Sequence, residues 1–207
     1  MTKPLINILI RTSNRPNYFS RCLGSVLNQT YNNYRIFISA DDEKTKQYVS
    51  MSGFQPVMVK KMKRDEKNTA PWNLYLNDLI AQVDDGWIII LDDDDYLAHN
   101  KVLERISVHL TNICVMHVWQ MQWPTGRKIP EDGYMKTPFV RKHIGMPCFT
   151  FHSYFSEFVK FDAMRAGDFR FICTVAAILD NRVHFIDEVI IKIGNTGLVG
   201  AINDLKV

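Results

Sequence analysis

The sequence of 207 residues is 46% hydrophobic and has a formal net charge of +3, from 25 basic and 22 acidic side chains. That apolar content excludes a disordered chain, and the mixed-sign charge argues against a dedicated nucleic-acid binder, which carries a stronger basic footprint. The four cysteines, Cys22, Cys114, Cys148 and Cys173, form no CxxC pair and have no short-spaced histidines beside them, so a zinc site is not indicated and a reduced, cytoplasmic setting is expected.

Residues 5–10 form a β-branched run that predicts a strand, and it is too short for a membrane span or a signal-peptide core. The polar loop Arg11-Thr12-Ser13-Asn14-Arg15 follows, with Pro16 suited to the first turn of a helix. Phe19, Cys22, Leu23, Val26 and Leu27 then fall at i, i+3, i+4, i+7 and i+8, the apolar stripe of a helix lying on a sheet. Residues 34–40 read as a second strand closed by Asp41-Asp42, and 57–62 as a third, running into a polar loop to residue 68. A helix is expected over 72–83, ended by Asp84-Asp85-Gly86. Trp87-Ile88-Ile89-Ile90-Leu91 is the most apolar strand, and its unbroken hydrophobicity marks burial on both faces, as in parallel sheets. Beyond it, 126–138 read as a mobile loop, 169–179 as a helix and 183–193 as a closing strand or strand pair.

Alternating strands and helices predict a single-domain α/β fold, Rossmann-like, with a mostly parallel central sheet flanked by helices. Such sheets bind ligands beyond the carboxyl ends of their strands. Three polar clusters fall there: Arg11 to Arg15, Asp41-Asp42, and Asp92-Asp93-Asp94-Asp95. Four adjoining carboxylates repel one another and call for a cation, and hard oxygen donors suit Mg²⁺ or Mn²⁺. In extended backbone, i and i+2 side chains share a face, so Asp92 and Asp94 are expected to point together. The alternative is an acidic turn capping the next helix, with Asp95 as the cap.

Residue by residue, the chain resembles the inverting family 2 glycosyltransferases of GT-A fold over most of 5–197. Leu27-Asn28-Gln29-Thr30-Tyr31 is similar to the family's Leu-x-Gln-Thr-Tyr segment, and Leu91-Asp92-Asp93-Asp94-Asp95 resembles its Leu-Asp-x-Asp-Asp, the DxD signature. Asn77 sits where the family often has an Ala-Arg-Asn helix. A lesser resemblance is to the small glycosyltransferase domains of large algal viruses. The resemblance implies that Thr12, Asn14 and Arg15 lie against a nucleotide, that Asp41 binds its base, typically uracil, and that Asp92 meets the ribose. It gives Asp94 the metal, Mn²⁺ or Mg²⁺, with Asp93 as the substitute should the register differ by one. Residues 1–98 would hold a nucleotide-sugar donor of the UDP type, and 99–207 the saccharide acceptor and the base.

Inversion requires a carboxylate base apart from the cation. Ala166-Gly167-Asp168-Phe169 resembles the family segment that supplies it, which makes Asp168 the candidate, with Asp162 in reserve and an N-cap as the alternative role of Asp168. Phe185-Ile186-Asp187-Glu188-Val189 matches a stretch that follows, with structural acids, whereas Ile193-Gly194-Asn195-Thr196-Gly197 lacks the histidine the family often has there. Trp119, Trp123, Arg127, Lys128, Arg141, Lys142 and His143 are candidates for acceptor or diphosphate contacts. A sugar-1-phosphate nucleotidyltransferase is disfavoured because the first loop has no glycine, and a non-catalytic nucleotide-sugar or metal-binding module is the other alternative.

Overall fold

The computed structural model describes residues 3–63, 69–134 and 139–194. Its first half is a run of parallel strands and helices: β1 (Ile6–Arg11), α1 (Pro16–Leu27), β2 (Tyr34–Ala40), α2 (Glu43–Met51), β3 (Val57–Met58), α3 (Leu74–Ile80) and β4 (Trp87–Asp92). The second half comprises β5 (Asp95–Leu97), α4 (Val102–Ser107), β6 (Met116–Gln122), β7 (Lys128–Ile129), β8 (Phe149–His152), α5 (Gly167–Ile178) and β9 (Val183–Ile193). One sheet joins them in the order β3-β2-β1-β4-β8-β6-β9-β5, with β7 against β6.

From β3 to β4 the pairing is parallel, as the uninterrupted apolar strands require, and β4 then meets β8 antiparallel. In β1 and β4, Ile6, Ile8, Leu9, Ile10 and Ile88 to Leu91 are at most 1% exposed, so helices cover both faces. Asn7 is the polar exception in β1, and its amide donates to Asp85 O at 2.8 Å.

The stripe of α1 packs through Phe19, Cys22, Leu23 and Val26, but Leu27 is 51% exposed, because the helix ends there and turns outward. Gln29, in the family-like segment after it, has its amide donating to His99 O at 2.7 Å and its carbonyl accepting from Leu103 N, clamping α1 to α4. Asn77 works the same way, exchanging two hydrogen bonds with the backbone of Phe161 and tying α3 to the segment before α5.

Several elements depart from expectation. The third strand is two residues long, and the helix expected over 72–83 is a 3-10 turn, Pro71–Asn73, followed by the shorter α3. Helix α2 was not foreseen; Asp42 caps it by accepting from Thr45 N at 2.9 Å. The stretch 183–193 is one strand, not two. Within the loops expected at 60–68 and 126–138, residues 64–68 and 135–138 lie outside the described residues, as does Asn195-Thr196-Gly197. Among the described residues, no helix is long and apolar enough to cross a membrane.

Candidate functional site

The carboxyl ends of β1, β2 and β4 form one edge of the sheet, and the polar clusters meet there. Burial alternates along the aspartates: Asp92 and Asp94 are partly exposed, Asp93 and Asp95 buried, the period of two that extended backbone imposes. Asp92 and Asp94 line a cleft of about 590 Å³. Asp168, on the first turn of α5, lines the same cleft.

Arg11 and Asp92 are register partners on β1 and β4, and the guanidinium grips both carboxylate oxygens. Burial pushes Asp92 up, but the charge and hydrogen bonds of Arg11 outweigh it and hold the acid below its ordinary value. Arg11 also donates to Asn73 Oδ1 at 3.2 Å, and Asn73 in turn donates to Met164 O at 3.2 Å. A chain of hydrogen bonds thus runs from the aspartates to the turn that precedes Asp168.

Asp93 is not available as a substitute ligand. Its side chain is fully buried, accepts from Thr12 Oγ1 at 2.7 Å and is paired with Arg15. Thr12, having donated to Asp93, accepts from Tyr48 Oη at 2.6 Å. Burial raises the Asp93 carboxyl to about 7, while the same pair raises Arg15. With the guanidinium charged and two donors on the acid, the ionised form is the one this geometry supports. Arg15 also reaches Asp94 at 3.3 Å, so Thr12 and Arg15 serve to build the aspartate turn from behind.

Asp95 is not a helix cap either. It lies on β5 opposite Ile193 of β9, is 5% exposed, and borders the cleft. Burial, then the charges of Asp92, Asp94 and Asp93, raise it well above the usual carboxylate range. The backbone of the same turn is pinned from the other side: Asp94 O accepts from Gly194 N at 2.7 Å and from Arg21 at 3.2 Å. A Cβ on Gly194 would fall 2.1 Å from that carbonyl, so only glycine fits.

Among the described residues, no group of three metal-ligating side chains is assembled, so a closed protein cage is absent. The aspartates still fit a cation completed by substrate oxygens. Asp94 faces the cleft, is 17% exposed in its side chain, and its carboxyl is raised by burial and then by Asp92, a repulsion that a divalent ion would relieve.

At the end of β2, Asp41 Oδ2 accepts from Ser13 Oγ at 2.9 Å and from Tyr75 Oη at 3.2 Å. Its Oδ1, like Asn14 Oδ1, is buried and meets no hydrogen-bond donor. Asn14 itself adopts φ 53, a left-handed backbone tolerated by asparagine. The residues expected against the nucleotide therefore divide: Asn14 and Asp41 retain free acceptors, whereas Thr12 and Arg15 are committed internally.

Asp168 is the second residue of α5, inside the first turn; the cap position is Ala166, at φ 57. Burial raises its carboxyl, against a hydrogen bond from the Phe169 backbone and the charge of Arg11, which pull it down, while Asp92 pushes it up. Gly167 lets the turn close, since a Cβ there would approach Asn73 Nδ2 to 2.6 Å. The reserve acid Asp162 is instead bound through both oxygens by Arg170, which holds it below its ordinary value by hydrogen bonding. Glu188 pairs with Arg105 at 3.0 Å, a structural role.

Of the aromatic and basic candidates, Trp123, Arg141 and Lys142 line the cleft. Trp119 is fully buried, its indole donating to Pro147 O, so it contacts no acceptor. Arg127 is engaged with Glu131, and His143 stacks on Tyr134. Arg11, from the polar cluster expected at the end of the first strand, lines the cleft, and Trp72, Asn73 and Arg165 line it without having been foreseen. Only Arg11 left a signal: it ends β1 as Asp92 ends β4.

The model of the family described as Glycosyl transferase family 2 matches residues 7–172. The chain belongs to glycosyl transferase family 2. Solved structures agree with this family's GT-A fold. S. aureus TarS 1-349 in complex with UDP-GlcNAc superposes with TM-score 0.72 at 15% identity, over 98% of this chain and 61% of that one. The mannosyltransferase PcManGT from Pyrobaculum calidifontis, in complex with GDP-Man and Mn²⁺, gives TM-score 0.70 at 14% identity, over 96% and 59%. S. aureus TarS covers 92% of this chain and gives TM-score 0.71 at 14% identity, but only 37% of its own length is matched. This family member thus spans less than two thirds of those chains. A search of the curated proteins found no match.

Proposed function

We propose that this chain transfers a glycosyl group, with inversion, from a nucleoside-diphosphate sugar of the UDP type to a hydroxyl of a saccharide acceptor. The observation that carries the reading is the convergence of Asp92 and Asp94 with Asp168 in one cleft. Membership of the family supports glycosyl transfer as the reaction class, and a neighbouring fold bound to UDP-GlcNAc supports the donor class. In this reading, residues 1–98 carry the donor and 99–207 the acceptor and the base.

Asp41 Oδ1 is suited to accept the imide N–H of uracil, because it is buried and makes no hydrogen bond, with the Lys61 ammonium 4.0 Å away. Asn14 offers a second acceptor beside it. Asp92, fixed by Arg11, presents its cleft edge to the ribose, and Asp93 holds Arg15 and Thr12 behind the turn. Asp94 would hold Mn²⁺ or Mg²⁺, an ion that when bound neutralises charge on the diphosphate.

Asp168 takes the proton from the acceptor hydroxyl. The acceptor oxygen forms its bond to the anomeric carbon from the face opposite the leaving group, the bond from that carbon to the phosphate oxygen breaks, and a nucleoside diphosphate departs. The raised carboxyl of Asp168 keeps it a stronger base than a solvated aspartate, and partial burial excludes competing water.

Calorimetry of UDP binding with and without Mn²⁺ tests the donor half. Tight binding only with the cation, accompanied by release of UDP from a UDP-sugar, is expected; absence of UDP binding under both conditions contradicts the reading.

A further inference from the structure

The cleft lining carries charge of both signs: Asp92, Asp94, Asp95 and Asp168 on the acidic side, and Arg11, Arg141, Lys142 and Arg165 as cations. Unlike Arg11 and Arg15, the last three have no carboxylate partner among the described residues. The contrast is sharpest among the arginines. Every described arginine has a carboxylate or an aromatic ring in contact, except Arg141 and Arg165, and both of these line this cleft.

Arg165 is held in place by its backbone. Its carbonyl accepts from Arg170 at 3.0 Å, and the residue before it bridges to Thr69. It stands three residues before Asp168 on the turn that opens α5, and both line the cleft. Trp72 and Trp123, both half-buried, line the same space and offer flat surfaces for a sugar ring.

We propose that the acceptor is an anionic saccharide, whose phosphate or carboxylate is bound by Arg165 and Arg141 with Lys142, while its ring lies against Trp72 or Trp123. This rests on Asp168 being the base, as read above. A neutral polyol offers the two guanidiniums no charge-assisted partner. An anion gives each a bidentate, charge-assisted partner, and the arginine fork is matched to both phosphate and carboxylate.

The test is equilibrium binding, in saturating UDP and Mn²⁺, of two matched pairs of fluorescent probes. One pair is tetragalacturonate and its methyl ester, and the other is maltotetraose with and without a single phosphate. In at least one pair the charged member binds about tenfold tighter, the effect of one charge-assisted hydrogen bond, and high salt removes the difference. The pair that responds identifies carboxylate or phosphate as the group. Arg141→Gln/Arg165→Gln abolishes the preference while UDP binds as in the wild type. Equal binding of charged and neutral members in both pairs overturns the proposal. So does a loss of UDP affinity matching the loss of saccharide affinity, which assigns the cations to the donor diphosphate. Failure of the wild type to bind UDP at all removes the proposed function as well, and is distinguished by that measurement alone.

Discussion

Arg11 and Asp92 end two adjacent parallel strands in the same register, and the guanidinium of one closes on both oxygens of the other. The sheet therefore sets the position of the first acidic residue of the cleft before any ligand arrives. Arg11→Met leaves Asp92 partly buried without its counter-charge. A fully buried pair broken in this way loses about 3–5 kcal/mol, and the 26% side-chain exposure of Asp92 reduces the expected loss to about 2 kcal/mol. Chemical denaturation measures it, and Arg11→Met/Asp92→Asn recovers most of the loss. Additive losses in the double variant would show that the two residues are not coupled.

Asp93 and Asp94 are neighbours with different tasks. Asp93→Asn removes the buried partner of Arg15, leaving it Asp94 alone, and disturbs the Thr12 bond, so it lowers the melting temperature. Asp94→Asn leaves the fold intact and removes the gain in UDP affinity that Mn²⁺ provides, by about tenfold or more. Thermal melts and calorimetry on both variants separate the effects, and the reverse pattern would reassign the cation to Asp93.

At the nucleotide end, Tyr75 donates to Asp41 while itself accepting from Met62 N. Asp41→Ala removes the free buried acceptor and weakens UDP binding by about tenfold, the value of one hydrogen bond to a charged group. Tyr75→Phe keeps that acceptor and has a smaller effect. Equal UDP affinity in the wild type and Asp41→Ala would place the base elsewhere.

The parallel half of the sheet was legible because β1 and β4 are unbroken apolar runs, and the facing of the aspartates because period-two burial sorts Asp92 from Asp93 in any extended segment. Burial against particular neighbours was not legible. Nothing in spacing says that Trp119 lies inside while Trp123 borders the cleft, or that Arg170 consumes Asp162. A cap stood as the alternative for Asp95 because its strand is three residues long and pairs with β9 almost a hundred residues away. The short strands β5 and β8 owe their existence to such distant partners, and local pattern does not record them.

Burial raises Asp168 above its ordinary value, and a base works only when deprotonated. The rate of transfer is then lost as pH falls through a value above about 3.9, the ordinary aspartate value, and is held on the alkaline side of it. A profile of kcat/KM against pH measures this limb. A limb at or below the ordinary value would contradict a buried base.

The account stands most directly on Asp168. UDP release from a UDP-sugar, in the presence of Mn²⁺ and acceptor, should be abolished by Asp168→Asn while calorimetric UDP binding matches the wild type. Undiminished release by that variant would contradict it.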